Sequence, residues 1–292
     1  MKNFITRIAP TPSGFIHIGN AVNFILTYAI ARHLNAALWL RIDDIDPLRT
    51  KREFIDDIFE TLKWLELKYD YGAKNSNDFF KNYSFNQKYL WNRLCALKEK
   101  FPTLFYACEC SRKKINGIYH GRCRELGLEL KKDKSSLRIK IEPKDIICLN
   151  GKYVNLFETL GDVTLWTKDG FCSYQFASLI DDEDKKINLV VRGEDLFYSS
   201  AFQLFMAKVF GFQSFLKTTF IHHALIYDEN GDKLSKSKGS YTQWRNNKDL
   251  LFQNTAKILG IKEFWEINTM GELLSCKEEL ERFYKNKGAR IE

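Results

Sequence analysis

Apolar positions change period several times along the chain, and those changes mark out its elements. "FITRIAP" (4–10) is a short, mostly apolar run ending in proline, and it predicts a strand. From Ala21 to Leu34 the apolar residues recur at helical spacing. "AALWLRIDDID" (36–46) predicts a second strand, nearly continuous in apolar residues until its carboxylates begin. "KREFIDDIFETLKWLELKYDYG" (51–72) mixes charged and apolar residues in the manner of an amphipathic helix. Strand, helix, strand, helix at these lengths predicts an α/β protein with a parallel sheet covered on both faces.

From about residue 105 to 165 the helical periodicity weakens, and cysteines and a basic run, "LELKKDKSSLRIK" (128–140), come in. This stretch reads as an insertion with its own small framework. "INLVVRGEDL" (187–196) and the apolar helix "SSAFQLFMAKVFGF" (199–212) resume the alternation. "TTFIHHALIYDENGDKLSKSKGS" (218–240) is a strand running into a polar loop, and the last fifty or so residues read as helical.

Composition narrows the class. At 292 residues, with 45% hydrophobic and 28% charged residues, the chain can bury a sizeable core. It has no long uncharged apolar run for a membrane span, and "MKNFITRIAP" lacks the features of a signal peptide, so a cytoplasmic protein is expected. A net charge of +8 favours an anionic partner such as RNA. The glycine-rich dinucleotide fingerprint is absent, which disfavours a nicotinamide enzyme. Of the seven cysteines, Cys95, Cys148, Cys172 and Cys276 are scattered and read as reduced, packed thiols.

Two stretches carry candidate chemistry. In "IAPTPSGFIHIGN" (8–20) prolines, a serine and glycines join the first strand to the first helix, with His17 in the corner. Helix N-termini beyond the carboxyl ends of parallel strands are natural phosphate sites. Gly19 would let a phosphate approach the backbone, and His17 could donate to its oxygens. "KLSKS", Lys233 to Ser237, brackets small hydroxyl residues with two lysines, which suits a polyphosphate whose charge shifts during reaction. Each stretch taken by itself also reads as an ordinary turn or a solvated basic loop.

Together, "HIGN" and "KLSKS" resemble the paired ATP-binding motifs of class I aminoacyl-tRNA synthetases. "RIAPTPSGFIHIGN" followed by "LRIDDIDPLRT", and "VVRGEDL" downstream, are similar to the glutamyl and glutaminyl subgroup. The resemblance covers roughly residues 5 to 240. It implies a Rossmann-like catalytic domain in two halves (1–104 and 166–240), a zinc-containing insertion (105–165), a helical C-terminal part (241–292) and no anticodon-binding domain.

The resemblance also implies roles. The carboxylate of an amino acid attacks the α-phosphate of ATP, with magnesium accompanying the nucleotide, and pyrophosphate leaves. His17, Gly19 and Asn20 would hold ATP together with Lys233, Ser235 and Lys236, and Lys236 would neutralise the departing pyrophosphate. L-glutamate would be held by Arg7, Ala9, Thr11, Asp43, Tyr174 and Arg192, the arginines because only they meet carboxylates bidentately. Three positions depart from the subgroup. Asn20 replaces the histidine that usually ends the first motif, and Asp43 replaces a glutamate. Ser178 stands where many discriminating glutamyl enzymes carry asparagine.

"YACECSRKKINGIYHGRCREL" (106–126) adds a metal candidate. Cys108, Cys110 and Cys123 are a good start for a tetrahedral zinc site. Spacing and ligand chemistry make His120 the fourth ligand. The resemblance points instead to Tyr119, because short glutamyl-synthetase-like proteins pair Cys-x-Cys with Tyr-x-x-x-Cys. Three reduced thiols without metal is the remaining reading.

The short layout and the tyrosine-containing pattern resemble the glutamyl-queuosine tRNA(Asp) synthetases. The expectation is therefore a glutamate-activating ligase that glutamylates queuosine in tRNA(Asp). A truncated glutamyl-tRNA synthetase charging the 3′ end is the second reading, and a catalytically idle RNA-binding paralog the third. Arg49, Lys51 and Arg52 are candidate RNA contacts, or else simply a solvated helix start.

Overall fold

The computed structural model describes residues 3–111, 115, 117–226 and 243–287. The first elements are β1 (Ile5–Ile8), α1 (Ile18–His33), β2 (Ala37–Leu40), α2 (Arg52–Trp64), α3 (Ser76–Asp78) and α4 (Gln87–Lys100). There follow β3 (Phe105–Cys108), β4 (Ser136–Ile139), β5 (Ile146–Leu149), β6 (Lys152–Asn155), α5 (Leu156–Thr159), β7 (Val163–Trp166) and α6 (Tyr174–Asp184). The chain continues through β8 (Leu189–Gly193), α7 (Phe197–Phe210), β9 (Thr219–His223), α8 (Lys248–Leu259), α9 (Met270–Ser275) and α10 (Lys277–Asn286). These elements form two compact units, one of residues 1–84, 187–196 and 218–292, the other of 85–186 and 197–217.

The first unit carries the parallel strands. β1 pairs with β2 in the register Ile5–Ala37 to Ile8–Leu40, and β8 pairs with β9 from Leu189–Thr219 to Gly193–His223. Asn188 joins the two pairs: its side chain accepts from the Ile5 N–H (2.8 Å) and donates to the Asn3 carbonyl (3.0 Å). Its backbone N–H bonds the Ile5 carbonyl at 3.1 Å. α1 is buried over most of its circumference, from Ala21 through Ala31, and packs on β1 and β8 as well as on α8, α9 and α10. A helix enclosed in this way needs no polar stripe.

β2 and α2 are shorter than the sequence predicts. After Leu40 the chain stays extended beside the corner, with the Arg41 N–H on the Ile8 carbonyl (3.0 Å) and the Asp43 N–H on the Pro10 carbonyl (2.8 Å). Pro10 has no N–H to return, so the ladder is only half made. α2 stops at Trp64, and Glu66 turns the chain at φ +59°. The segment beyond it edges β2 rather than extending the helix. Asp70 accepts from the Leu38 N–H (2.8 Å), the Leu40 N–H bonds the Tyr71 carbonyl (2.8 Å), and the Tyr71 ring stacks on Trp39 at 4.9 Å.

The second unit holds a three-stranded antiparallel sheet, β3–β4–β7, and the hairpin β5–β6. Asn150 (φ 49°) and Gly151 (φ 76°) make the hairpin turn, the type I′ geometry that an Asn-Gly pair favours. The fully buried Asp162 organises the unit: it accepts from the Tyr106 hydroxyl (2.5 Å), the Ile141 N–H (2.8 Å) and two nitrogens of Arg124 (2.6 and 2.7 Å). All seven cysteines are free. Cys148 is exposed on β5 rather than packed, because the outward positions of this hairpin face solvent. Among the described residues no helix is long and apolar enough to cross a membrane.

Candidate functional site

The first unit builds the corner that the motif anticipates. β1 ends at Ile8, and the chain passes a buried Pro10 and Pro12 before reaching the N-cap of α1 at His17. The His17 carbonyl accepts from the Asn20 and Ala21 N–H groups (2.9 and 3.1 Å), and Asn20 Oδ1 accepts from the His17 N–H (3.4 Å). Asn20 thus closes the start of the helix, a use open to its short amide. The N–H groups of Ile18 and Gly19 belong to the first turn, which has no intrahelical acceptor for them, and the helix dipole makes that end attractive to an anion.

Ala9 is half-buried and Thr11 exposed, both on the corner beside Asp43, whose N–H is bonded to Pro10. Asp43 is fully buried and held by a second residue that the sequence reading passed over. Arg41 grips it with Nε on Oδ1 (2.6 Å) and Nη2 on Oδ2 (3.1 Å). The signal was present, because residues two apart in an extended segment share a face. Arg7 in β1 and Arg192 in β8 are both 4% exposed.

Arg192 lies over the Phe220 ring (5.2 Å) and is register partner to His222 on β9. Burial, and then the Arg192 charge, push the His222 pKa down to about 3, so its imidazole is neutral at pH 7. Its neighbour His223 has Nε2 3.0 Å from Asn23 Oδ1 on α1 and Nδ1 2.8 Å from the Ala224 carbonyl.

Tyr174 opens α6 in the second unit, with Ser178 buried one turn later. Lys233, Ser235 and Lys236 lie outside the described residues. Arg49, Lys51 and Arg52 are exposed, Lys51 facing Glu53 (3.3 Å) and Arg52 lying over the Phe80 ring (5.7 Å).

The cysteine cluster forms in the second unit. The sulfurs of Cys108, Cys110 and Cys123 lie within 4.8 Å of one another. Tyr119 Oη sits among them, 3.4 Å from Cys108 Sγ and 3.5 Å from Cys110 Sγ, and accepts from the Cys123 N–H at 3.0 Å. His120 packs instead against Phe157, the rings 4.3 Å apart and tilted by 37°.

The environment of the cluster is polarised. Arg122 donates to Cys110 Sγ (3.3 Å), and the Arg138 guanidinium lies 4.4 Å over the Tyr119 ring. Burial raises the Cys110 pKa, but hydrogen bonds from Arg122 and then Tyr119 outweigh that and bring it to about 6. Burial, followed by hydrogen bonding to the thiols, raises Tyr119. A bound cation would oppose the rise at Tyr119, because it deprotonates its own ligands. Gly161, at φ +59°, lets the chain pass Tyr119: a Cβ there would stand 2.4 Å from the Tyr119 carbonyl.

Comparison with known proteins fits this geometry. The family model for tRNA synthetases class I (E and Q), catalytic domain, matches residues 3–291. A glutamate–tRNA ligase of Hydrogenobaculum sp. (strain Y04AAS1) is 31% identical over 98% of this chain and 64% of its own length. A glutamyl-Q tRNA(Asp) synthetase of Verminephrobacter eiseniae is 29% identical over 91% of this chain and 95% of its own. The crystal structure of a glutamate tRNA ligase from Elizabethkingia meningosepticum, solved with its amino acid, superposes with a TM-score of 0.72 at 21% identity. It is matched over 97% of this chain and 69% of that one, and at this identity it speaks to the fold. The chain spans less than two thirds of the glutamate–tRNA ligases of Hydrogenobaculum (64%) and Mycoplasma genitalium (54%). With a match over nearly its whole length, the chain belongs to the class I tRNA synthetase family of the E and Q type, catalytic domain.

Proposed function

We propose that the protein activates L-glutamate with ATP and magnesium and transfers it to queuosine at the wobble position of tRNA(Asp). The observation that carries the finer part is Tyr119 Oη among three thiols while His120 packs on Phe157. That tyrosine-containing cluster is the pattern by which the sequence resembles the glutamyl-queuosine enzymes. A relative of that name, from Pseudomonas aeruginosa (strain LESB58), is 31% identical over 81% of this chain and 78% of its own length.

No protein nucleophile is needed for activation, so the work of the chain is positioning and charge stabilisation. His17 and the first-turn N–H groups of α1 hold the phosphates, and Lys236 with Lys233 and Ser235 neutralises the pyrophosphate as it leaves. Arg7 and Arg192 bind the two glutamate carboxylates. Asp43, held by Arg41, is the carboxylate that receives the substrate ammonium. Asp43 is one methylene shorter than the usual glutamate, and Arg41 fixes where its carboxylate stands. Zinc, bound by Cys108, Cys110, Cys123 and Tyr119, cross-links the insertion.

The test is glutamate-dependent exchange of labelled pyrophosphate into ATP, with magnesium and without tRNA. The expected result is exchange with glutamate and little with glutamine, abolished by His17→Ala. Exchange that appears only on adding tRNA would favour a glutamyl-tRNA synthetase, and none under either condition a non-catalytic RNA-binding paralog.

A further inference from the structure

The corner before α1 is held from below by one stripe of α2. Phe54, Asp57, Thr61 and Trp64 recur at i, i+3, i+7 and i+10, on a single helical face. Phe54 meets Phe15 edge to face at 5.0 Å. Asp57, 6% exposed, accepts the Ile16 N–H on Oδ2 at 2.7 Å. Ile16 is the residue immediately before the N-cap, so these two contacts set the angle at which the chain enters α1.

Arg245 completes the arrangement from the short 3-10 turn Gln243–Asn246. Its Nη2 donates to the other oxygen of Asp57 (2.5 Å) and lies 2.7 Å from Thr61 Oγ1. Its guanidinium lies over the Trp244 ring at 5.3 Å, and Trp244 meets Trp64 edge to face at 5.8 Å. One carboxylate thereby joins the backbone of the corner to a guanidinium distant in sequence. An acidic group this close to a phosphate site would weaken anion binding unless a cation faced it, and Arg245 is that cation.

We infer that Asp57 and Arg245 are positioning residues for ATP: together they orient His17 and the first-turn N–H groups of α1, and Arg245 cancels the Asp57 charge behind them. This rests on the reading of the corner as the phosphate site. A pair that acts only through Ile16 and the first turn of α1 alters the nucleotide side of the reaction and leaves the amino-acid side alone.

The experiment measures pyrophosphate exchange for Arg245→Met, Asp57→Asn and Arg245→Lys, together with hydrogen exchange of the peptide spanning residues 14–22. Arg245→Met and Asp57→Asn are expected to raise the KM for ATP about tenfold or more and to lower kcat, with the KM for glutamate within about twofold. Arg245→Lys, which can still give one charge-assisted bond, is expected to recover part of the loss. The Ile16 amide should exchange faster in both neutral variants while the melting temperature shows the chain still folded.

Unchanged ATP KM and unchanged protection of Ile16 would overturn the inference. So would ATP and glutamate KM values rising in parallel with a fall in melting temperature, the mark of a merely structural pair. Absence of exchange in the wild-type protein would count against the proposed function, and the Ile16 protection would then decide the positioning claim by itself.

Discussion

Arg41→Ala is expected to cost about 3–5 kcal/mol of unfolding free energy, as is usual when one member of a buried ion pair is removed. Asp43 is fully buried, and a bidentate guanidinium faces it. Domains of this kind have only about 5–15 kcal/mol in total, so the loss would bring the first unit near its threshold at moderate urea. Adding Asp43→Asn to the Arg41→Ala chain should return part of the stability, because the side chain that lost its partner is then neutral. Urea unfolding of the two variants checks this. A loss below about 1 kcal/mol for Arg41→Ala, the range of exposed pairs, would contradict it.

The second large effect concerns the metal. The protein purified without chelator is expected to hold one zinc per chain, and Tyr119→Phe to weaken zinc binding by at least roughly tenfold, the scale seen even when outer partners of a metal ligand are lost. The variant keeps the ring under Arg138 and the backbone beside Gly161, so only the oxygen among the sulfurs changes. Sulfurs bound to one zinc at about 2.3 Å stand roughly 3.8 Å apart, and the cluster, with Cys110 and Cys123 at 3.5 Å, needs little movement to reach that. His120→Ala should leave the zinc content unchanged. Competition against a chromogenic chelator measures both variants. Loss of zinc with His120→Ala but not with Tyr119→Phe would reverse the assignment.

Sequence alone reaches far at the corner and stops short elsewhere, for physical reasons. The strand–corner–helix unit is legible because residues adjacent in sequence build it, and periodicity places α1 within three residues of its observed start. α2 is overestimated because "ELKYDYG" keeps a mixed polar and apolar pattern. What decides its fate is Asp70 and Tyr71 pairing with β2, a contact between segments some thirty residues apart. The β5–β6 hairpin escaped a reading keyed to cysteines, although Asn150-Gly151 is a strong local turn signal.

In the candidate site, the resemblance ranks Tyr119 above His120, whereas ligand chemistry favours the imidazole. No sequence signal shows that His120 packs on Phe157. Arg41 was readable from its spacing to Asp43. The Asp57–Arg245 pair was not, since 188 residues separate its members and neither belongs to a motif.

The decisive measurement is glutamate transfer to tRNA(Asp) prepared with and without queuosine, each with its 3′-terminal adenosine intact and removed. Transfer that requires queuosine and survives removal of the terminal adenosine is the expected result. Transfer to both tRNAs that loss of the adenosine abolishes would contradict the queuosine reading and make the chain a 3′-end charging enzyme.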